Sequence, residues 1–146
     1  MKKVIVCLMI GLGWMSFAHA AGDAESGQSK AAVCSGCHGA DGNSMIPSFP
    51  KLAGQGELYL VNQLKDIRDR VRSVPQMTGI LTGRSDQDLS DIAAYYSSQT
   101  GTVGAANPEL VELGRQVYRA GIASKGVAAC TACHSPTGAG NPQAGF

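Results

Sequence analysis

The chain has 146 residues, with 12 basic and 11 acidic side chains and a formal net charge of +1. That length allows one domain or two small ones. A near-neutral balance without a basic patch or a long charge run gives no electrostatic footprint for nucleic acid, so no nucleic-acid partner is expected.

Residues 1–20 read as an export signal that is cleaved. Lys2 and Lys3 make a positive start, Val4 to Phe17 is apolar, and Ala18-His19-Ala20 is a small-x-small cleavage site. The apolar run is too short for a comfortable transmembrane helix, and no stop-transfer charges follow it. Cys7 lies inside this run and leaves with it. The mature chain, from about Ala21, then holds ten basic and eleven acidic residues.

Asp23 to Val33 is rich in Ala, Ser, Gln and Lys, and a helix is expected there, running into Cys34. Gly27 interrupts it at a cost of about 1 kcal/mol relative to Ala. A close helix crossing and ordinary tolerance near a helix end account for Gly27 equally well. Cys34-Ser35-Gly36-Cys37-His38 follows. In a helical turn, residues i and i+3 share a face and i+4 sits beside them. Two thiols and an imidazole so arranged suit covalent haem attachment: thioether bonds from Cys34 and Cys37, and iron ligation by His38.

Gly39 to Gln55 reads as loop, punctuated by Gly and Pro. A long ordered loop in a small domain wraps something, and a haem edge is a suitable object. Glu57 to Arg72 reads as an amphipathic helix, with Leu60, Val61, Leu64, Ile67, Arg68 and Val71 at helical spacing. Ser73 to Gly83 is a second loop, containing Pro75-Gln76-Met77. Ser85 to Ser98 is the next helix, with Ser85 and Asp88 as a capping box and Leu89, Ile92, Ala93 and Tyr96 as its buried stripe. Tyr95 and Tyr96 are read as core residues rather than cofactor chemistry. Thr100 to Ala106 is a linker. Asn107 caps a further helix with Pro108 at its first position, and Leu110, Leu113, Gly114, Val117 and Tyr118 follow at helical spacing. No segment makes a convincing strand.

Cys130-Thr131-Ala132-Cys133-His134 begins 96 residues after the first motif. Each motif follows a Gly-bearing helix and precedes a Gly-Asn loop, and Phe49 and Phe146 lie eleven and twelve residues after their histidines. This is a tandem repeat. The first unit's later elements have no counterpart after Phe146. The 37 residues from Leu110 on fall below the roughly 40 at which a domain usually stands without a metal or cofactor. A C-terminally truncated chain with an incomplete second domain is therefore expected.

All four mature cysteines and both mature histidines belong to the two units. None is left for a catalytic triad, a disulfide framework or a separate metal site. Thiols this close would oxidise in an exported protein unless captured. Zinc would want four ligands where each unit supplies three, and a redox dithiol would want a βαβ setting that is absent. For the sixth iron ligand the mature chain offers Met45 and Met77. Met45 lies seven residues after His38, in the adjacent loop, whereas Met77 lies 39 residues on, beyond a helix that can carry the chain around the ring. Met77 is therefore assigned, against the alternative of a packing methionine. His/Met ligation leaves the iron no vacant position, which suits one-electron transfer rather than bond-making chemistry. His38 and His134 are expected to donate their other ring N–H to a backbone carbonyl, for His38 one from Pro47 to Pro50. At the second site no downstream Met exists in this chain, so its sixth position is left open.

Cys34-Ser-Gly-Cys-His-Gly-Ala-Asp-Gly-Asn-Ser, Phe49-Pro-Lys-Leu-Ala-Gly-Gln55, Tyr59-Leu-Val-Asn-Gln-Leu64 and Met77-Thr-Gly resemble the di-haem cytochrome c4 family. Ser85-Asp-Gln-Asp-Leu-Ser-Asp-Ile-Ala-Ala-Tyr-Tyr96 and Cys130-Thr-Ala-Cys-His-Ser-Pro-Thr-Gly extend the likeness over nearly all of the mature chain. The resemblance implies an all-α fold of tandem class I cytochrome c domains, here residues 21–100 and an incomplete 110–146, joined by a linker at 101–109. It implies two haem c groups, held by Cys34 and Cys37 and by Cys130 and Cys133, with His38, Met77 and His134 as axial ligands. It further implies a periplasmic electron carrier, not an enzyme, working between quinol–cytochrome c reductase or another donor and a terminal oxidase, and able to associate with the membrane surface. Two other readings stand beside it. One is a haem enzyme or small-ligand sensor using the open position at the second haem; the other is a haem subunit of a larger oxidase complex.

Overall fold

A computed structural model describes residues 21–144. The export signal predicted over 1–20 and the repeat residue Phe146 lie outside the described residues. Six α-helices order the described residues: α1 (Ala24–Lys30), α2 (Ser35–His38), α3 (Glu57–Arg68), α4 (Asp86–Ser98), α5 (Pro108–Ala120) and α6 (Thr131–His134). Among the described residues the only β-type pairing outside them is an isolated bridge between Ile122 and Val127. The fold is all-α, as expected. No described helix is long and apolar enough to cross a membrane.

The first unit is built on α4. Ser85 caps it through the predicted box: its hydroxyl accepts from the Asp88 N–H while the Asp88 carboxylate accepts from the Ser85 N–H. Leu89, Ile92, Ala93 and Tyr96 are buried, as their spacing predicts. Each large apolar side chain among them stabilises the fold by about 1.5–3 kcal/mol. Helices α1 and α3 both pack on α4. The α1 crossing settles the reading of Gly27. A methyl group there would stand 2.0 Å from the Asp91 carbonyl oxygen and 2.9 Å from Tyr95 Cβ. Only glycine lets the two backbones approach this closely.

The crossing is clasped by Asp91, which is 3% exposed. Its Oδ1 accepts from the Asp23 N–H at 2.9 Å and from the Gln87 amide at 2.8 Å, and Oδ2 pairs with Lys30. Asp23 in turn caps α1, accepting from the N–H groups of Glu25 and Ser26. One carboxylate thus joins the beginning and end of α1 to the middle of α4. Backbone donation from Asp23 and the Lys30 ammonium hold its pKa below the usual carboxylate range.

One expectation is corrected. The helix read over Glu57 to Arg72 ends at Arg68, and Val71 is 79% exposed. The chain turns out of the helix at Arg70, whose φ of 61° is left-handed; the Arg70 and Arg72 N–H groups close back on the Ile67 and Asp66 carbonyls. Helix α5 forms with its Asn107 cap and Pro108 start, but its Leu110 and Leu113 are each 57% exposed. Its Gly114 faces open space where Gly27 meets a helix.

Candidate cofactor site

The Ala31–Val33 3₁₀ turn passes directly into Cys34, and α2 carries Cys37 and His38. Cys34 and His38 are buried, whereas Cys37 is exposed. Burial pushes the Cys34 thiol up from its ordinary value, against the pull of the Arg84 charge. All four described cysteines are free of disulfides.

Cys34, Cys37 and His38 line one cavity of about 310 Å³, and Met77 lines the same cavity. Residues 34–38 and 77 thus converge across the intervening loop and α3. Met45 does not line it and is 94% exposed. The remaining wall is largely apolar, with Val33, Phe49, Leu52, Leu64, Ile67 and Ile80 around the four donor side chains. That volume lies in the usual range for ligand pockets. Met77 is presented by a 3₁₀ turn, Pro75–Met77, and then by a tight turn in which the Ile80 N–H donates to the Met77 carbonyl. Gly79 occupies the third position of that turn at φ 84°, as a type II turn requires.

His38 Nδ1 lies 2.8 Å from the Pro50 carbonyl oxygen. A carbonyl only accepts, so Nδ1 carries the proton and Nε2 keeps its lone pair for a metal. The loop read over Gly39 to Gln55 supplies this orienting group, and its Pro50 is the member of Pro47 to Pro50 that does so. Phe49 meets the His38 ring edge-on, with centroids 6.2 Å apart. Buried Ser44 pins the loop, its hydroxyl within donating reach of the Cys37 and Ile46 carbonyls and accepting from the Ile46 N–H, while Asn43 bridges Asp41 to Thr100 and Thr102. Asn43 and Ser44 lie in the stretch that carries the family resemblance, but nothing in the sequence assigned them these bonds.

These residues fit a flat haem: an apolar slot, two thiols at one edge, an imidazole whose tautomer is set for iron, and a thioether in the same cavity. Polar residues of the lining, Lys51, Gln55, Tyr59 and Gln63, suit carboxylate substituents. Tyr96 is 1% exposed in the cluster that includes Cys34, and its hydroxyl has no partner among the described residues.

The second motif is built alike locally. Cys130 precedes α6, which carries Cys133 and His134. Here Cys133 and His134 are exposed and Cys130 is half-buried. The Tyr118 hydroxyl of α5 donates to the Ser135 carbonyl at 2.7 Å, tying α5 to the end of the motif.

A sequence profile of the cytochrome c family matches residues 24–100. Cytochrome c4 of Pseudomonas aeruginosa is 58% identical over the whole of this chain, which spans 73% of that protein's length. The chain belongs to the cytochrome c4 family. The crystal structure of reduced recombinant cytochrome c4 from Pseudomonas stutzeri superposes with a TM-score of 0.82 at 56% identity, covering 86% of this chain and 71% of that one. A protein named thiosulfate dehydrogenase electron acceptor, from Stutzerimonas stutzeri, is 35% identical over 80% of this chain and 56% of its own length. As a cytochrome c4 relative the chain is a c-type cytochrome of electron transfer, and its family binds haem c.

Proposed function

We propose that this cytochrome holds haem c at Cys34 and Cys37, with His38 and Met77 as the axial ligands, and a second haem c at Cys130 and Cys133 with His134. The observation that carries the reading is the single cavity lined by Cys34, Cys37, His38 and Met77. When bound, the haem iron supplies a one-electron couple. The chain's own residues do the rest. Pro50 keeps His38 in the ligating tautomer. The Pro75–Gly79 turns hold the Met77 thioether, a ligand that favours a raised reduction potential. The apolar wall keeps water from the slot. With His38 and Met77 both holding the iron, the first site would carry charge without a catalytic role of its own.

The proposed domains are residues 21–100 and 110–146, with a linker at 101–109. Lys51 and Asn43 both bond to Thr102, which ties the start of that linker to the first unit. The export signal read in residues 1–20 and the cytochrome c4 relatives support a periplasmic carrier, peripherally associated with the membrane, that delivers electrons to a terminal oxidase. Quinol–cytochrome c reductase is the proposed donor. The likeness to a thiosulfate dehydrogenase electron acceptor makes a thiosulfate dehydrogenase the second donor to assay.

The test is expression in a host with haem-attachment machinery, followed by mass and optical spectra. Two covalent haems are expected, with a sulfur-to-ferric-iron band that Met77→Ala abolishes and Met45→Ala leaves. Absence of covalent haem overturns the proposal, and survival of the band in Met77→Ala overturns the ligand assignment.

A further inference from the structure

Behind Met77 lies a second cavity, of about 330 Å³. It is formed where the chain leaves α3 and turns into the Met77 loop. Its lining includes Arg68, Arg70 and Arg72 and the hydroxyl-bearing residues Ser73, Thr78 and Thr82. Ile67, Arg72, Val74 and Met77 line both this cavity and the haem slot.

Three guanidinium groups around one small concavity repel one another unless anions balance them. Arg68 is balanced: it reaches Asp69 and Asp86, each at 2.7 Å. Arg72 donates to the neutral Gln63 amide. Among the described residues neither Arg70 nor Arg72 forms an ion pair. Arg70 and Arg72, exposed and without a carboxylate partner among the described residues, thus line a cavity together with three hydroxyl-bearing residues. No aromatic side chain lines it, so nothing there would stack on a nucleobase or other flat ring.

We propose that this cavity binds one small tetrahedral oxyanion, of the phosphate class, between Arg70 and Arg72, with the hydroxyls of Ser73, Thr78 and Thr82 completing its hydrogen bonds. Guanidinium forks match such an anion in charge and geometry. Because Met77 forms a shared wall, the anion senses the charge that the neighbouring haem gains on oxidation. Oxidised protein then binds it more tightly than reduced protein, by about three- to tenfold, and by reciprocity the anion lowers the reduction potential. A tenfold preference corresponds to about 59 mV for one electron. This coupling rests on Met77 as the iron ligand; the binding itself does not.

The experiment titrates reduced holoprotein with inorganic phosphate at ionic strength held constant with chloride, following amide 1H–15N shifts. Saturable shifts confined to residues 70–82 are expected. Arg70→Gly removes one guanidinium and suits the left-handed backbone at that position, so the fold is kept while affinity falls at least threefold. Shifts that do not saturate, or that spread over the surface, mean an adventitious ion only and overturn the site. Phosphate shifts unchanged by Arg70→Gly overturn it as well. Binding to phosphatidylglycerol vesicles without a response to free phosphate overturns it in favour of a lipid headgroup. Parallel redox titrations should show a lower potential in phosphate than in chloride. Saturable binding without that shift upholds the site and overturns its coupling through Met77.

Discussion

Replacing Gly27 with Ala should separate the two repeats. The added methyl would stand 2.0 Å from the Asp91 carbonyl oxygen and 2.6 Å from its carbon, where ordinary contact begins near 3.4 Å. The obstacle is backbone, so no rotamer change relieves it, and α1 must move by more than an ångström. That motion pulls Asp23 and Lys30 from Asp91. Overpacking of this severity costs about 3 kcal/mol, against about 1 kcal/mol gained in helix propensity, for a net loss of about 2 kcal/mol. For a unit of this size the melting temperature should fall by about 8–16 °C. Gly114→Ala is the internal control. It makes the same change at the matching helix, where a Cβ meets nothing within 4 Å, so the propensity gain of up to about 1 kcal/mol should appear undiminished. Thermal unfolding followed by circular dichroism measures both. A Gly27→Ala protein within about 0.5 kcal/mol of the parent, small enough to be an ordinary surface effect, would refute the close crossing.

Tyr96→Phe should leave stability unchanged or raise it by up to about 1 kcal/mol, because it removes a buried hydroxyl that has no partner. A loss above that size in chemical denaturation would mean that the hydroxyl is bonded in the holoprotein. Asp91→Ala should cost about 2–4 kcal/mol, since it leaves the Asp23 N–H and Lys30 without their shared acceptor. The native Asp91 pKa lies below the ordinary 3.8. Its contribution is therefore complete above about pH 4 and disappears as the pH falls through the lower native value. Acid titration of the parent against Asp91→Ala should show the two converging there. In haem-free protein, an alkylating agent near pH 8 should modify exposed Cys37 well before Cys34, whose thiol is buried and pushed up. Equal rates, read by peptide mass, would contradict the placement of Cys34.

The sequence alone determined the helices with strong end signals and the donor atoms. Ser85 with Asp88, and Asn107 with Pro108, are short-range chemistry written in adjacent residues, and both caps form as read. The alternation of Leu89, Ile92 and Tyr96 likewise marks a face whatever it packs against. Cysteine and histidine spacing within one turn is equally local, so residues 34–38 were legible. What the sequence left open depended on distant partners. Gly27 and Gly114 look alike along the chain, and only the presence or absence of α4 against them tells a crossing from an open face. The end of α3 was misread because Arg70 takes a left-handed conformation that its residue type does not announce. Choosing Pro50 among nearby carbonyls, and placing Ser44 and Asn43, required the loop's path in three dimensions. The sharing of Ile67, Arg72, Val74 and Met77 between a haem slot and an arginine-lined cavity is likewise tertiary: it arises where the end of α3 meets a loop, and no spacing in the sequence encodes that meeting.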